Sequence, residues 1–299
     1  KNILTLALPM TLAQLINILY NIVDRMYIGR IPDHATLSLT GLGLSMPIIS
    51  AVIAFANLFG VGGAPLCSIA RGKGDIKGAE KVVGNAFTML LCTGVLLTVM
   101  GLLFKKPLLY AFGASDATFP FADSYLSIYL LGCTFVTVSL GMNSYINAQG
   151  FARMGMVTTL IGAVLNIILD PLFIFTMGMG IRGAAIATVI SQLASAIWTV
   201  RFLTSQKAIL RIRVSCMRPC LKTIRDIAAL GLSNFMMSIT NSIVQVVCNS
   251  TLSLYGGDLY VGVMTVINSV REIVSMPVSG ITNGSQPVIS FNYGAEKYD

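Results

Sequence analysis

The 299 residues are 55% hydrophobic and only 11% charged, with a mean hydropathy of +0.79, whereas soluble domains carry about 25% charged residues. That composition excludes a water-soluble globule. The net charge of +8 reads as membrane topology rather than as a nucleic-acid footprint, because the basic residues cluster in alternate loops. The single histidine, His34, leaves no His-rich metal centre and no histidine-based hydrolase triad, so neither an enzyme activity nor a cofactor is expected.

A helix needs about 20 apolar residues to cross a hydrocarbon core ~30 Å thick. Apolar runs between charged or Gly/Pro breaks predict helices over 3–29, 38–69, 84–104, 121–148, 155–178, 182–205, 227–255 and 259–290. The expected fold class is therefore an all-α polytopic membrane protein. The loops after the second, fourth and sixth helices hold Arg71, Lys73, Lys77, Lys81, Arg153, Lys207, Arg211, Arg213, Arg218, Lys222 and Arg225, against Arg30, Lys105, Lys106 and Arg182 in the others. By the positive-inside rule the first group is cytoplasmic and the N-terminus lies inside. The cysteines fall mostly within apolar runs and read as small core residues, Cys216 and Cys220 in a basic loop excepted.

The longest polar stretch, 206–226, divides a six-helix unit (1–205) from two further helices (227–299) and reads as a basic cytoplasmic linker. Gly62, Pro65 and Gly72 recur as Gly284, Pro287 and Gly294 at a constant offset of 222. An offset of six crossings keeps the two units in the same direction, so the repeat is parallel, about an axis along the membrane normal. One unit is complete and the second has two helices, which predicts a chain truncated from a twelve-helix fold.

Acids inside the membrane need a reason, since each costs at least ~2.5 kcal/mol at the bilayer centre. Asp24 closes a polar stretch of the first helix, and Asp170 follows Asn166 by one helical turn in LNIILDPLF. At 1.5 Å per residue, Asp24, Asp170 and Thr188 lie at roughly 8, 12 and 9 Å from the same side. Two carboxylates, an amide oxygen and a hydroxyl form an all-oxygen set suited to shared protons or to a hard cation such as Na⁺. Pro9 and Pro171 each remove a helical hydrogen bond, at the carbonyls of Thr5 and Ile167, and make their helices locally bendable. Arg271 and Glu272 lie close to the midplane of the last helix and are candidate cavity residues, or partners of other helices.

The segments ALPMTLAQLINILYNIVDRMYIGR, GVGGAPLCSIARGKGD, LNIILDPLFIF and GIRGAAIATVISQ resemble the multidrug and toxic compound extrusion (MATE) family, especially its prokaryotic members. The resemblance implies two six-helix bundles around a central cavity. It also implies a cation or proton site formed by Asp24, Asn166, Asp170 and Thr188, a bending proline at Pro9 and a site tyrosine at Tyr20. The expected function is a cation-coupled (H⁺ or Na⁺) antiporter in a bacterial or archaeal inner membrane, monomeric, exporting amphiphilic and cationic compounds. A flippase for lipid-linked saccharide, of the same broad superfamily, is the alternative, but it calls for basic residues facing the cavity where acids stand. GMGIRG at 178–183 matches a dinucleotide-binding spacing yet joins two membrane helices without the following acid, and GKGD at 72–75 lacks the P-loop spacing.

Overall fold

The first element, α1 (Asn2–Ile28), carries Pro9 inside an unbroken helix. It is followed by α2 (Ala35–Gly72), α3 (Ile76–Ala111), α4 (Phe119–Leu131), α5 (Cys133–Ala148), α6 (Ala152–Pro171), α7 (Ile181–Thr204) and α8 (Leu221–Gly294). The computed structural model describes residues 2–32 and 34–297, and the side chains of residues 2–4 and of much of 242–276 lie outside the described residues. Among the described residues there is no strand, and five helices are long and apolar enough to cross a membrane, or six when the α4–α5 pair counts as one bent span.

Three expectations change. The single fourth helix expected at 121–148 is broken at Gly132 into α4 and α5, which meet at 57°. Gly132 sits against the side chain of Val189 on α7, where an added Cβ would lie 2.5 Å from it, so the break lets the chain turn close to its neighbour. The linker expected at 206–226 ends sooner, because α8 begins at Leu221. The two helices expected at 227–255 and 259–290 form one helical run with no break near 256–258.

That run nevertheless doubles back. A straight helix would place Gly231 and Gly294 ~95 Å apart at 1.5 Å per residue, yet Gly231 packs on Leu58 and Gly294 on Ile69, both on α2 and only ~17 Å apart by the same rise. Phe235 meets Phe55 with ring centroids 4.9 Å apart, so the first leg runs antiparallel to α2. Gly280 and Gly284 lie against Thr11 and Ala7, so the second leg runs antiparallel to α1.

Lipid is as apolar as leucine, so packing inside the membrane relies on small residues and hydrogen bonds rather than on hydrophobic exclusion. The contacts follow that rule. Gly63 leaves room for the Tyr145 side chain, whose hydroxyl donates to the Phe59 carbonyl at 2.7 Å, and Gly60 meets the backbone of Gly141. Buried Phe59, Leu90, Met142, Tyr145, Ile146 and Leu203 fill the space between α2, α3, α5 and α7.

At the basic end the loop between α7 and α8 is fastened to the earlier helices. Gln149 accepts from the Leu210 amide at 2.9 Å, Arg213 pairs with the buried Glu80 at 2.9 Å, and Asn85 accepts from the Cys220 amide at 2.7 Å. Arg71 donates to the Gln149 carbonyl at 2.7 Å and lies 4.7 Å from the Phe291 ring centroid. At the opposite end Lys105 pairs with Asp123 at 2.7 Å.

Candidate cation site and cavity

Pro171 cannot supply the amide that would close the helical bond to Ile167, and α6 gives way there to a π-helical turn, Leu172–Thr176. The amide of Met177 returns to the Leu172 carbonyl at 2.9 Å, the wider i to i+5 spacing. Gly183 at the start of α7 packs directly on Phe173 and Ile174 of that turn, where a Cβ would come within 2.7 Å of the Phe173 carbonyl carbon. The widened turn and the missing side chain together bring α7 close to α6 at the level of Asp170.

Asn166 lies one turn before Asp170 on the same face of α6. Its amide nitrogen donates to Asp170 Oδ1 at 3.2 Å and reaches Thr188 Oγ1 at 3.5 Å, and the Thr188 hydroxyl donates to the Ala184 carbonyl at 3.0 Å. The Asp24 carboxyl from α1 is near enough to Asp170 for the two to interact. Asp170 and Asn166 are 0% and 2% exposed and Asp24 9%, so the four residues expected from the sequence converge on one spot between α1, α6 and α7. Tyr20, one turn before Asp24, interacts with both carboxyls.

Asp24 Oδ1, Asp170 Oδ2 and Asn166 Oδ1 are all buried and have no hydrogen-bond donor. A buried acceptor without a partner forgoes about 1–3 kcal/mol. Three such acceptors, one on α1 and two on one face of α6, are oxygens that a proton or a hard cation would satisfy. Among the described residues no group of three His, Cys, Asp or Glu could hold a metal ion, so a cation here would rely on the amide and hydroxyl oxygens as well.

A cavity of about 640 Å³ opens from this spot, with Asp24, Asn166 and Thr188 in its wall and Asp170 set behind them. A narrower extension of about 250 Å³ continues toward the basic end between Gln14, Asn17, Asn57, Asn143, Asn283 and Gln286. The sequence reading did not single out Tyr125 and Tyr129, which are buried, stacked at 6.2 Å and part of the cavity wall. Their spacing of four residues in an apolar helix was the available signal. It also passed over the carboxamides, which are scattered over several helices and become a lining only once those helices pack. Arg271 is exposed on the second half of α8, and the side chain of Glu272 lies outside the described residues.

The MatE family profile matches residues 9–172 and 234–299, more than half of the chain. The chain belongs to the MatE family. The multidrug export protein MepA of Staphylococcus saprophyticus is 25% identical over 297 residues, covering 99% of this chain and 65% of its own length. The chain thus spans 65% of the length of that curated relative. A solved MATE structure in the bent conformation superposes with a TM-score of 0.91 at 26% identity, and one in the straight conformation with 0.92 at 27%; each match covers 99% of this chain and 66% of the other. This MatE chain is accordingly a multi-pass membrane protein with the MATE fold.

Proposed function

We propose that this protein is a secondary antiporter that exports amphiphilic, preferentially cationic compounds against an inward flow of H⁺ or Na⁺, with Asp24, Asn166, Asp170 and Thr188 as the coupling site. The observation that carries the reading is the set of three partnerless buried oxygens on α1 and α6 at the edge of a cavity. Filling the set would draw α1 toward α6, and emptying it would release α1. Because Gly280 and Gly284 of the second leg of α8 lie against Thr11 and Ala7 on either side of Pro9, a change of curvature there would alter the wall shared with α8. A ligand shifts such an equilibrium only through its different affinity for the two states, and occupied versus empty oxygens supply that difference. The similarity to multidrug export proteins supports the substrate class.

In this reading helices α1–α7 form one six-crossing bundle (1–205), the basic stretch that follows joins it to the two legs of α8, which begins at Leu221, and those legs belong to a second, parallel bundle. Support comes from mirrored contacts. Gly72 abuts Phe291 while Gly294 abuts Ile69, and adding 222 to 69 and 72 gives 291 and 294. The basic end faces the cytoplasm of a bacterial or archaeal cell and the N-terminus lies inside, on the charge distribution. A membrane-impermeant maleimide should therefore react with Lys106→Cys from outside and not with Lys73→Cys; the reverse pattern would invert the topology and the direction of export with it.

The deciding experiment is efflux of a fluorescent cation from vesicles holding the full-length protein, with the H⁺ and Na⁺ gradients collapsed in turn. Export should stop with one of them and should be lost in Asp170→Asn. Export that survives both collapses would overturn ion coupling.

A further inference from the structure

At the end of the bundle opposite the basic loops a second pocket, of about 600 Å³, lies between the α1–α2 connection, the start of α4 and the turn leading into α7. It shares no residue with the acid site. Its apolar side is built by Ile31, Ile174 and Ile181, all at most 7% exposed, together with Phe175 and Met179. Its polar side is built by Arg182, His34, Ser124 and Ser38. Among the described residues the lining contains no carboxylate.

Three features point the same way. Arg182 is exposed and touches Ser124 Oγ only through Nε, at 3.4 Å, which leaves the two terminal nitrogens of its guanidinium fork for an oxyanion. The His34 ring is steadied by Phe121, with centroids 5.3 Å apart. The 24-residue helix α7 starts at the pocket after Gly180, whose φ of 55° sets the sharp entry. The first amides of a helix have no intrahelical acceptor and carry the positive end of its dipole.

An independent observation comes from α2. Ser38 is 0% exposed, its hydroxyl has no hydrogen-bond partner, and it lies in the wall of this pocket. A fully buried hydroxyl without a partner is uncommon in folded proteins, and an oxyanion seated between Arg182 and the start of α7 would accept from it. The pocket is larger than a bare phosphate fills, and its remaining wall is apolar, so the best occupant is amphiphilic.

We propose that this pocket, formed where Arg182, His34, Ser38, Ser124 and the first amides of α7 meet an isoleucine-lined wall, binds the phosphate of an anionic amphiphile, the chemistry a phospholipid headgroup presents. The site is separate from the export cavity, so it would act on the transporter from its rim.

The test uses the full-length protein in neutral detergent, with native mass spectrometry to follow retention of added phosphatidylglycerol and inorganic phosphate as competitor. Arg182→Gln should weaken lipid retention by about tenfold, the worth of one charge-assisted hydrogen bond, and Ser38→Ala by about threefold on the scale of a neutral one. Arg30→Gln, an exposed change at the same end and outside the pocket lining, should leave retention unaltered, and phosphate should displace the lipid. If phosphatidylglycerol is not retained but inorganic phosphate raises the melting temperature with the same ranking of variants, the phosphate site stands and its occupant is soluble. The site is overturned if neither probe binds, or if Arg182→Gln and Ser38→Ala lose no more than Arg30→Gln. Ser38→Ala removes one oxygen and Arg182 is at the surface, so loss of the fold does not confuse the reading.

Discussion

The acid site on α1 and α6 and the seam between α2 and the second leg of α8 solve opposite packing problems. At the seam, Gly72 and Gly294 bring backbones together so closely that a Cβ on either would collide with the other helix's carbonyl oxygen, at Phe291 and Ile69 respectively. Nothing is missing there, and a tight apolar contact of this kind is at its best as it stands. At the acid site, three buried oxygens lack a donor, and these are what the proposed coupling ion would satisfy. The difference teaches where movement would belong under the proposed coupling: at the unsatisfied site, with the close-packed seam as its fulcrum.

The largest expected effect breaks the acid site. Asp170→Asn keeps the shape but can neither exchange a proton nor offer a cation a charge, so gradient-driven efflux should fall to that of vesicles without the protein, while membrane insertion and melting temperature hold. Asp24→Asn should do likewise. Full efflux in both variants would make the acids structural and leave the comparison without its first half.

Next comes the seam. Gly72→Ala should cost on the order of 1–3 kcal/mol, the usual range for overpacking, read as a lowered melting temperature of the full-length protein. Gly43→Ala, on the same helix but with nothing within 4 Å of an added Cβ, should be neutral or stabilise by ~0.5–1 kcal/mol. Equal behaviour of the two variants would show that the close approach of α2 and α8 does not matter.

A smaller effect sharpens the acid site. Asn166 reaches both Asp170 and Thr188 without contributing charge, so Asn166→Ala should preserve coupling and raise the half-saturating concentration of the driving ion by about tenfold, the scale of one hydrogen bond to a charged group. A complete loss of coupling would instead mean that the amide is indispensable to the ion.

The acid site was legible in the sequence because its signal is local: an acid in an apolar run costs energy, and Asn166 and Asp170 share a helical face. Depth counting placed Asp24, Asp170 and Thr188 at one level without any tertiary information. The bend at Gly132 was not legible, since it follows from contact with Val189, far along the chain. The continuity of α8 was missed for a related reason. The stretch around Gly256 and Gly257 carries ordinary break signals, and the helix runs through them. The glycine repeat was visible as spacing alone, and only the folded chain shows Gly72 and Gly294 meeting the other's helix.

The smallest effect uses Cys220 to watch the seam. The residue precedes α8 at the basic end, and hydrogen bonds from the Thr223 amide and hydroxyl, with Lys81 close by, draw its thiol down to about 7. The thiolate is the reactive form, so alkylation by iodoacetamide should rise through pH 6–8 with a midpoint near 7, and Lys81→Ala should move that midpoint upward. The Cys220 amide is tied to Asn85 on α3, and Arg71 ties the α2 side of the seam to Phe291, so the loop and the seam share one framework. If the seam is the fulcrum, adding the driving ion should change the alkylation rate at fixed pH by less than about twofold, against the tenfold scale of one hydrogen bond. A tenfold change would mean that the seam opens when the acid site fills, and the two regions would exchange roles.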